Sequence, residues 1–173
     1  GFSVRVVAVS PGADLTGAAA KAFAEFVAAA GTVAAFRADA VFHEDLLVDA
    51  LLGSGIDREL TGVFADAVAA VNRSSSPVLA LDLPTGLHAD SGRVMGDCIS
   101  ADLTITFVGL KTGLFLGQAA DYRGELLCNE LGIAVEVFQR QAAVLSRVGT
   151  ELLRQALPPR RRVSHKGSHG ALL

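Results

Sequence analysis

Leu46-Leu47-Val48-Asp49-Ala50-Leu51-Leu52-Gly53-Ser54-Gly55 and its later counterpart Val78-Leu79-Ala80-Leu81-Asp82-Leu83-Pro84-Thr85-Gly86 decide the fold. Each opens on a short, continuous apolar run, reaches a carboxylate, and breaks into a turn built from glycine, serine or proline. Apolar runs of this length between turn signals read as buried strands, here 46–51 and 78–83. Working outward, residues 4–9, 32–36, 103–108 and 124–128 read the same way, with Ser10-Pro11-Gly12 closing the first. Between them, residues 15–30 carry Leu15, Ala19, Phe23, Phe26, Val27 and Ala30 at helical spacing, with Gly31 as the stop and both phenylalanines in the core. Residues 62–71 form a second helix and 72–77 a serine-rich turn. Buried strands alternating with amphipathic helices predict an α/β fold, a Rossmann-like three-layer αβα sandwich around a mostly parallel sheet covered on both faces.

The 173 residues suffice for one domain with a tail. Although 51% of them are hydrophobic, no stretch approaches the roughly 18 consecutive apolar residues of a spanning helix, so no membrane segment is expected. The opening Gly1-Phe2-Ser3-Val4-Arg5-Val6 lacks a basic segment ahead of an apolar one and does not read as a signal peptide. A net charge of −3, from 15 basic and 18 acidic residues, gives no electrostatic case for nucleic acid. Cys98 and Cys128 lack metal-ligand spacing, fit a reducing compartment, and read as small buried residues rather than nucleophiles. His43, His88, His165 and His169 show no metal spacing beyond the last pair, which sits in a context too glycine-rich for a helix. After residue 133 helical spacing persists in places to 157, and Pro158-Pro159-Arg160-Arg161-Arg162 then marks a boundary.

In parallel α/β folds ligands sit outside the carboxyl ends of the strands, so the residues after each strand are the ones to weigh. Asp49 precedes the flexible loop Gly53, Ser54, Gly55, whose main-chain N–H groups can approach an anion. The spacing is not the dinucleotide fingerprint, since position 58 is arginine, and no P-loop lysine follows. Taken alone this is a strand-to-helix turn. Asp82 repeats the arrangement with Pro84, Thr85 and Gly86, again readable as a plain turn. Two acidic strand ends side by side are harder to set aside, because crowded carboxylates are costly unless a cation, a ligand or hydrogen bonds satisfy them. Asp49 and Asp82 are therefore the best site candidates. Phe107-Val108-Gly109-Leu110-Lys111-Thr112-Gly113 offers a lysine between glycines, either a positive charge for phosphates or the reacting centre, or a solvated loop residue.

Together and in this order, the segments at 48–55 and 80–87, then Thr104-Ile105-Thr106-Phe107 through Lys111 and Gly113-Leu114, resemble the epimerase domain of the NAD(P)H-hydrate repair enzymes. Asp121-Tyr122-Arg123-Gly124-Glu125-Leu126 and Leu131-Gly132-Ile133 extend the resemblance, which covers residues 1–133. In the tail, Leu157-Pro158-Pro159-Arg160 with Ser164-His165-Lys166-Gly167 and Gly170 resembles the opening of an ADP-dependent NAD(P)H-hydrate dehydratase domain. The implied organisation is an epimerase domain over 1–133 lacking its N-terminal part, a helical segment and linker over 134–162, and the start of a truncated dehydratase over 163–173. The family's asparagine- and glycine-rich loop, which supplies a further potassium ligand and part of the dinucleotide cradle, has no counterpart here.

The resemblance implies interconversion of the R and S forms of hydrated NADH or NADPH in a bifunctional, cytoplasmic repair enzyme. It implies a potassium ion held with the help of Asp49 and Thr85, the latter a serine in most of the family. It also implies a substrate site formed by Gly53, Ser54, Gly55, Ile56, Asp57, Arg58, Glu59 and Asp82. Asp82 is the expected acid–base carboxylate, and Lys111 the expected group to anchor phosphate or bias that carboxylate. A homodimer and a fused dehydratase domain are the implied partners, with neither nucleic acid nor membrane. The competing expectations are a non-catalytic scaffold of the same fold and an unrelated Rossmann-like nucleotide-binding domain.

Overall fold

The computed structural model describes residues 3–10, 15–140, 143, 145–157 and 162–163. The expected turn at Pro11-Gly12 and the segment from Ser164 to Gly170 lie outside the described residues. The chain divides into two units, Gly1–Ile133 and Ala134–Leu173. Among the described residues the first holds six strands, β1 (Val6–Ala8), β2 (Val33–Ala35), β3 (Leu47–Asp49), β4 (Val78–Leu81), β5 (Leu103–Phe107) and β6 (Glu125–Asn129). Its helices are α1 (Gly17–Ala28), α2 (Val63–Asn72) and α3 (Ala119–Tyr122). The described residues of the second unit hold two short helices, α4 (Val135–Gln139) and α5 (Thr150–Ala156). No described helix is long and apolar enough to cross a membrane.

Every strand ladder is parallel. β1 pairs with β2, and β3, β4, β5 and β6 form a four-stranded sheet in sequence order. Helices flank these parallel strands, and the architecture is the Rossmann-like αβα type. The first five strands are shorter than their apolar runs, whereas β6 keeps the expected length and begins and ends one residue later.

Register places Val78, Ala80, Thr104 and Thr106 on one face of the sheet, and all four are buried. Val68 from α2 packs there with Val78, Ala80, Ile99 and Ala101. A second cluster joins Ala119 from α3 to Leu83, Leu87, Cys98 and Leu114. Burying one such aliphatic side chain contributes roughly 1.5–3 kcal/mol, so the central strands are pinned. On the opposite face Leu79, Leu81, Leu103 and Ile105 are half-buried.

α1 departs from expectation in its packing. It buries none of its residues, Phe23 is half-buried and Phe26 is exposed. The two three-residue strands of its sheet offer too little surface to cover a twelve-residue helix. The stop signal also shifts by one residue. Ala30 takes the left-handed conformation (φ 62°), with Gly31 N donating to Phe26 O at 2.9 Å and Ala30 N to Val27 O at 3.0 Å, the Schellman closure. Gly31 serves instead to let the Phe26 ring approach, since any Cβ there would collide with it.

Candidate active site at the ends of three parallel strands

Asp49 is the last residue of β3, and its carboxylate is buried. Oδ2 accepts from Thr85 N at 2.7 Å, and Oδ1 accepts from Thr85 Oγ1 at 2.7 Å and Leu51 N at 3.2 Å. No cation pairs with it among the described residues. Burial raises its pKa above the ordinary aspartate value, opposed by the hydrogen bonds from Thr85 and Leu51. Thr85 Oγ1 also accepts from Leu52 N at 3.0 Å and lies 3.2 Å from Leu52 O. The single hydroxyl proton has two acceptors within reach and goes to the nearer carboxylate. Carboxylate, hydroxyl and carbonyl oxygens thus converge at one point, a donor set that fits a hard cation.

One strand across, Asp82 follows β4 directly. Its N–H still donates to Ile105 O at 2.8 Å, but its φ of 71° is left-handed. Aspartate visits that region at a cost, and such outliers cluster at functional sites. The ladder pairs Ala80 with Thr104, and two residues on Asp82 lies beside Thr106. Thr106 Oγ1 donates to Asp82 Oδ1 at 3.2 Å. Val108, also left-handed (φ 65°), turns the chain out of β5 so that Lys111 folds back. Lys111 Nζ donates to Asp82 Oδ1, to Thr106 Oγ1 at 3.1 Å and to Phe107 O at 2.8 Å. An ammonium has three protons, and all three are spent inside the protein. Lys111 is not the solvated loop residue that its context allowed.

The loop after β3 joins the two groups. Leu52 belongs to the Asp49–Thr85 cluster, and a Cβ on Gly53 would stand 3.3 Å from Asp82 Oδ2. Ser54, Gly55, Asp57, Arg58 and Glu59 are exposed, while Ile56 is buried and anchors the loop. Glu59 lies 3.5 Å from Arg93 in an exposed ion pair. The structure therefore gathers Asp49, Thr85, Gly53, Asp82 and Lys111 at the carboxyl ends of β3, β4 and β5. Thr106 is the residue that sequence reasoning missed. Two open clefts of about 350 and 340 Å³ lie elsewhere, lined in turn by Arg5, Arg37 and Phe42 and by Asn72, Ser76 and Asp102. In the first the Asp39 carboxylate is tied to Arg37, and in the second the Asp102 carboxylate accepts from Val78 N at 2.7 Å, so chemistry rather than volume selects the strand ends.

Neither cysteine belongs to the site. Cys98 is buried, its thiol pushed up to about 12 by burial and by the Asp49 and Asp97 charges, and Cys128 is exposed on β6. Among the described residues no cluster of His, Cys, Asp and Glu could hold a metal through those side chains alone.

Residues 1–113 match the family described as "YjeF-related protein N-terminus". The chain belongs to that family. Among curated members, the bifunctional NAD(P)H-hydrate repair enzyme Nnr of Coxiella burnetii is 36% identical over 173 residues, covering 100% of this chain and 36% of the relative. The enzyme of the same name from Escherichia coli K12 is 40% identical over 129 residues, covering 75% of this chain and 25% of the relative. The NAD(P)H-hydrate epimerase of Limosilactobacillus fermentum is 45% identical over 83 residues, covering 48% of this chain and 40% of the relative. The chain thus spans about a third of the length of the bifunctional relatives that it matches throughout. The YjeF-related sequence carries the strand-end carboxylates within its matched region.

Proposed function

We propose that this YjeF-related domain interconverts the R and S forms of hydrated NADH and NADPH, as the epimerase part of a bifunctional repair enzyme with a fused dehydratase. The observation that carries this reading is the convergence of Asp82, Lys111 and the Gly53 loop beside an oxygen-rich cluster at Asp49 and Thr85. The names of the relatives support it. In hydrated cofactor the added hydroxyl stands on a ring carbon next to the ring nitrogen. The nitrogen lone pair pushes the hydroxyl out while the Asp82 carboxyl, having first taken a proton from solvent, gives that proton to the departing oxygen. The C–O bond breaks, water leaves, and an iminium remains. Water then adds to the other face, its proton goes to the Asp82 carboxylate, and the electron pair returns to nitrogen. One carboxyl group acts first as acid and then as base.

Lys111, with all its protons committed internally, serves to hold the Asp82 carboxylate rather than to bind phosphate. The main chain of Gly53, Ser54 and Gly55 receives the dinucleotide, flanked by Asp57, Arg58 and Glu59, with Ile56 contributing through the backbone. Asp49, Thr85 and the Leu52 carbonyl would hold a potassium ion, which when bound would offset the buried carboxylate charge. Threonine in place of the family's serine leaves the coordinating hydroxyl in position. A homodimer working in the cytoplasm completes the reading.

The test is to follow purified S-form hydrated NADH by chromatography that resolves the two epimers, in potassium buffer. Conversion towards an R/S mixture, abolished by Asp82→Asn, is the expected result. A folded protein that binds hydrated cofactor without racemising it overturns the epimerase reading and leaves a scaffold of the same fold.

A further inference from the structure

Lys111 and Thr106 both donate to the same oxygen of Asp82. The proton count is closed. Lys111 gives one proton each to Asp82 Oδ1, Thr106 Oγ1 and Phe107 O. Thr106 Oγ1 therefore accepts from Lys111, and its own proton is free for Asp82 Oδ1. Among the described residues no donor reaches Oδ2, which faces the space left by the missing side chain of Gly53. Thr104, on the same strand and face, shows what a plainly structural threonine does here: its hydroxyl donates to the Arg123 carbonyl at 2.7 Å. Thr106 instead commits its proton to a carboxylate that is itself open to the site.

We propose that Thr106 is a positioning residue that makes Asp82 one-sided, with Oδ1 locked by Thr106 and Lys111 and Oδ2 the atom that exchanges protons with the ligand. Gly53 is the matching gap, since a Cβ at that position crowds Oδ2. The inference deepens the epimerase reading, on which the identity of the ligand rests, while the locking of Oδ1 stands on geometry alone. A carboxylate free to rotate would present either oxygen, and proton transfer suffers steeply when a reacting group is misplaced by about an ångström.

The experiment compares Thr106→Val, Thr106→Ala and Thr106→Ser with wild type. Three readouts are taken on each: epimerisation of S-form hydrated NADH, thermal midpoint, and the ¹³Cγ NMR resonance of Asp82 at one fixed pH. The valine and alanine variants are expected to lose roughly tenfold to a hundredfold in kcat with KM changed by less than about twofold. The serine variant, which keeps the hydroxyl, is expected to stay within about threefold of wild type and to retain the wild-type Asp82 resonance. The alanine variant, free of any overpacking, decides the matter if the valine variant does not fold. Undiminished kcat in both hydroxyl-free variants, or an equal loss in the serine variant, overturns the proposal. If wild type itself shows no epimerisation, the epimerase reading falls and the Asp82 resonance alone judges the lock. An unchanged resonance on removing the Thr106 hydroxyl refutes it, and a shift restored by serine sustains it.

Discussion

Asp82→Asn tests whether this carboxylate is kept for chemistry or for stability. Asparagine preserves the shape of aspartate and shares its tolerance of left-handed backbone, so the φ of 71° adds no new strain. Its amide oxygen can occupy the Oδ1 position and still accept from Lys111 and Thr106. Its amide nitrogen then takes the Oδ2 position, where no described donor opposes it. What disappears is the charge opposite Lys111. The two side chains are 24% and 22% exposed. Fully exposed pairs contribute at most about 1 kcal/mol, and stripping one partner from a fully buried pair costs about 3–5 kcal/mol. This pair sits between those limits, so a loss of about 1–2 kcal/mol follows.

For a chain of this size 1 kcal/mol corresponds to roughly 2–4 °C, which predicts a melting midpoint lower by about 2–8 °C. Removal of the acid–base group, in contrast, is expected to lower kcat by roughly 10²–10⁴-fold, with a much smaller change in KM. The assay is circular dichroism melting beside chromatographic epimerisation on the same preparation. A midpoint lower by far more than about 10 °C, together with undiminished turnover by the surviving folded fraction, refutes the reasoning and makes Asp82 a structural residue.

At Asp49 the balance is reversed. Both carboxylate oxygens accept short bonds from Thr85, and Asp49→Asn leaves one donor facing another donor; relief of the buried charge offsets part of this, for a net loss of about 1–3 kcal/mol. Melting in potassium chloride against choline chloride is expected to show a potassium-dependent rise in wild type and none in the variant. Gly86→Ala is expected to yield little folded protein by gel filtration, because φ is +103° and the new Cβ would overlap the Asp97 carbonyl. Gly55→Ala, in open space, is expected to stay within about 1 kcal/mol of wild type by chemical denaturation. A thiol reagent at pH 8 is expected to label exposed Cys128 and spare buried Cys98, whose thiol stays protonated up to about 12; two labels per native chain contradict this.

The strand-end carboxylates were legible because two signals coincided, an apolar run and an abrupt turn, at 46–55 and again at 78–86. What remained hidden was register. Aligning the expected strands 78–83 and 103–108 start to start sets Asp82 beside Phe107, on the wrong face. The observed ladder pairs Leu79 with Leu103, one residue away, and sets Asp82 beside Thr106. A slip of one residue exchanges the faces of a strand, and nothing in either apolar run distinguishes the two alignments. Thr106 carried no site signal of its own for that reason. The burial of α1 was overread by the same kind of limit. Spacing identifies the apolar stripe of a helix, whereas burial depends on a surface elsewhere in the chain to receive it.

Local propensity fails most clearly where the site is built. β4 and β5 are each followed directly by a non-glycine residue in the left-handed region, Asp82 and Val108. For a β-branched residue that conformation is an outlier, and such positions cost roughly 1–3 kcal/mol each. Two penalties at adjacent strand ends accomplish one geometric result. The first aims the Asp82 carboxylate along the sheet towards Thr106, and the second reverses the chain so that Lys111 reaches both from three residues beyond. Glycine at 108 would make that turn at less backbone cost in the folded state but would add freedom to the segment carrying Lys111. The strained valine, together with the bond from Lys111 to the Phe107 carbonyl, holds the ammonium at a fixed distance from Asp82. On the proposed role of Asp82, rules of local structure break here because a positioned proton carrier requires a rigid turn, and rigidity at this point opposes what propensity favours.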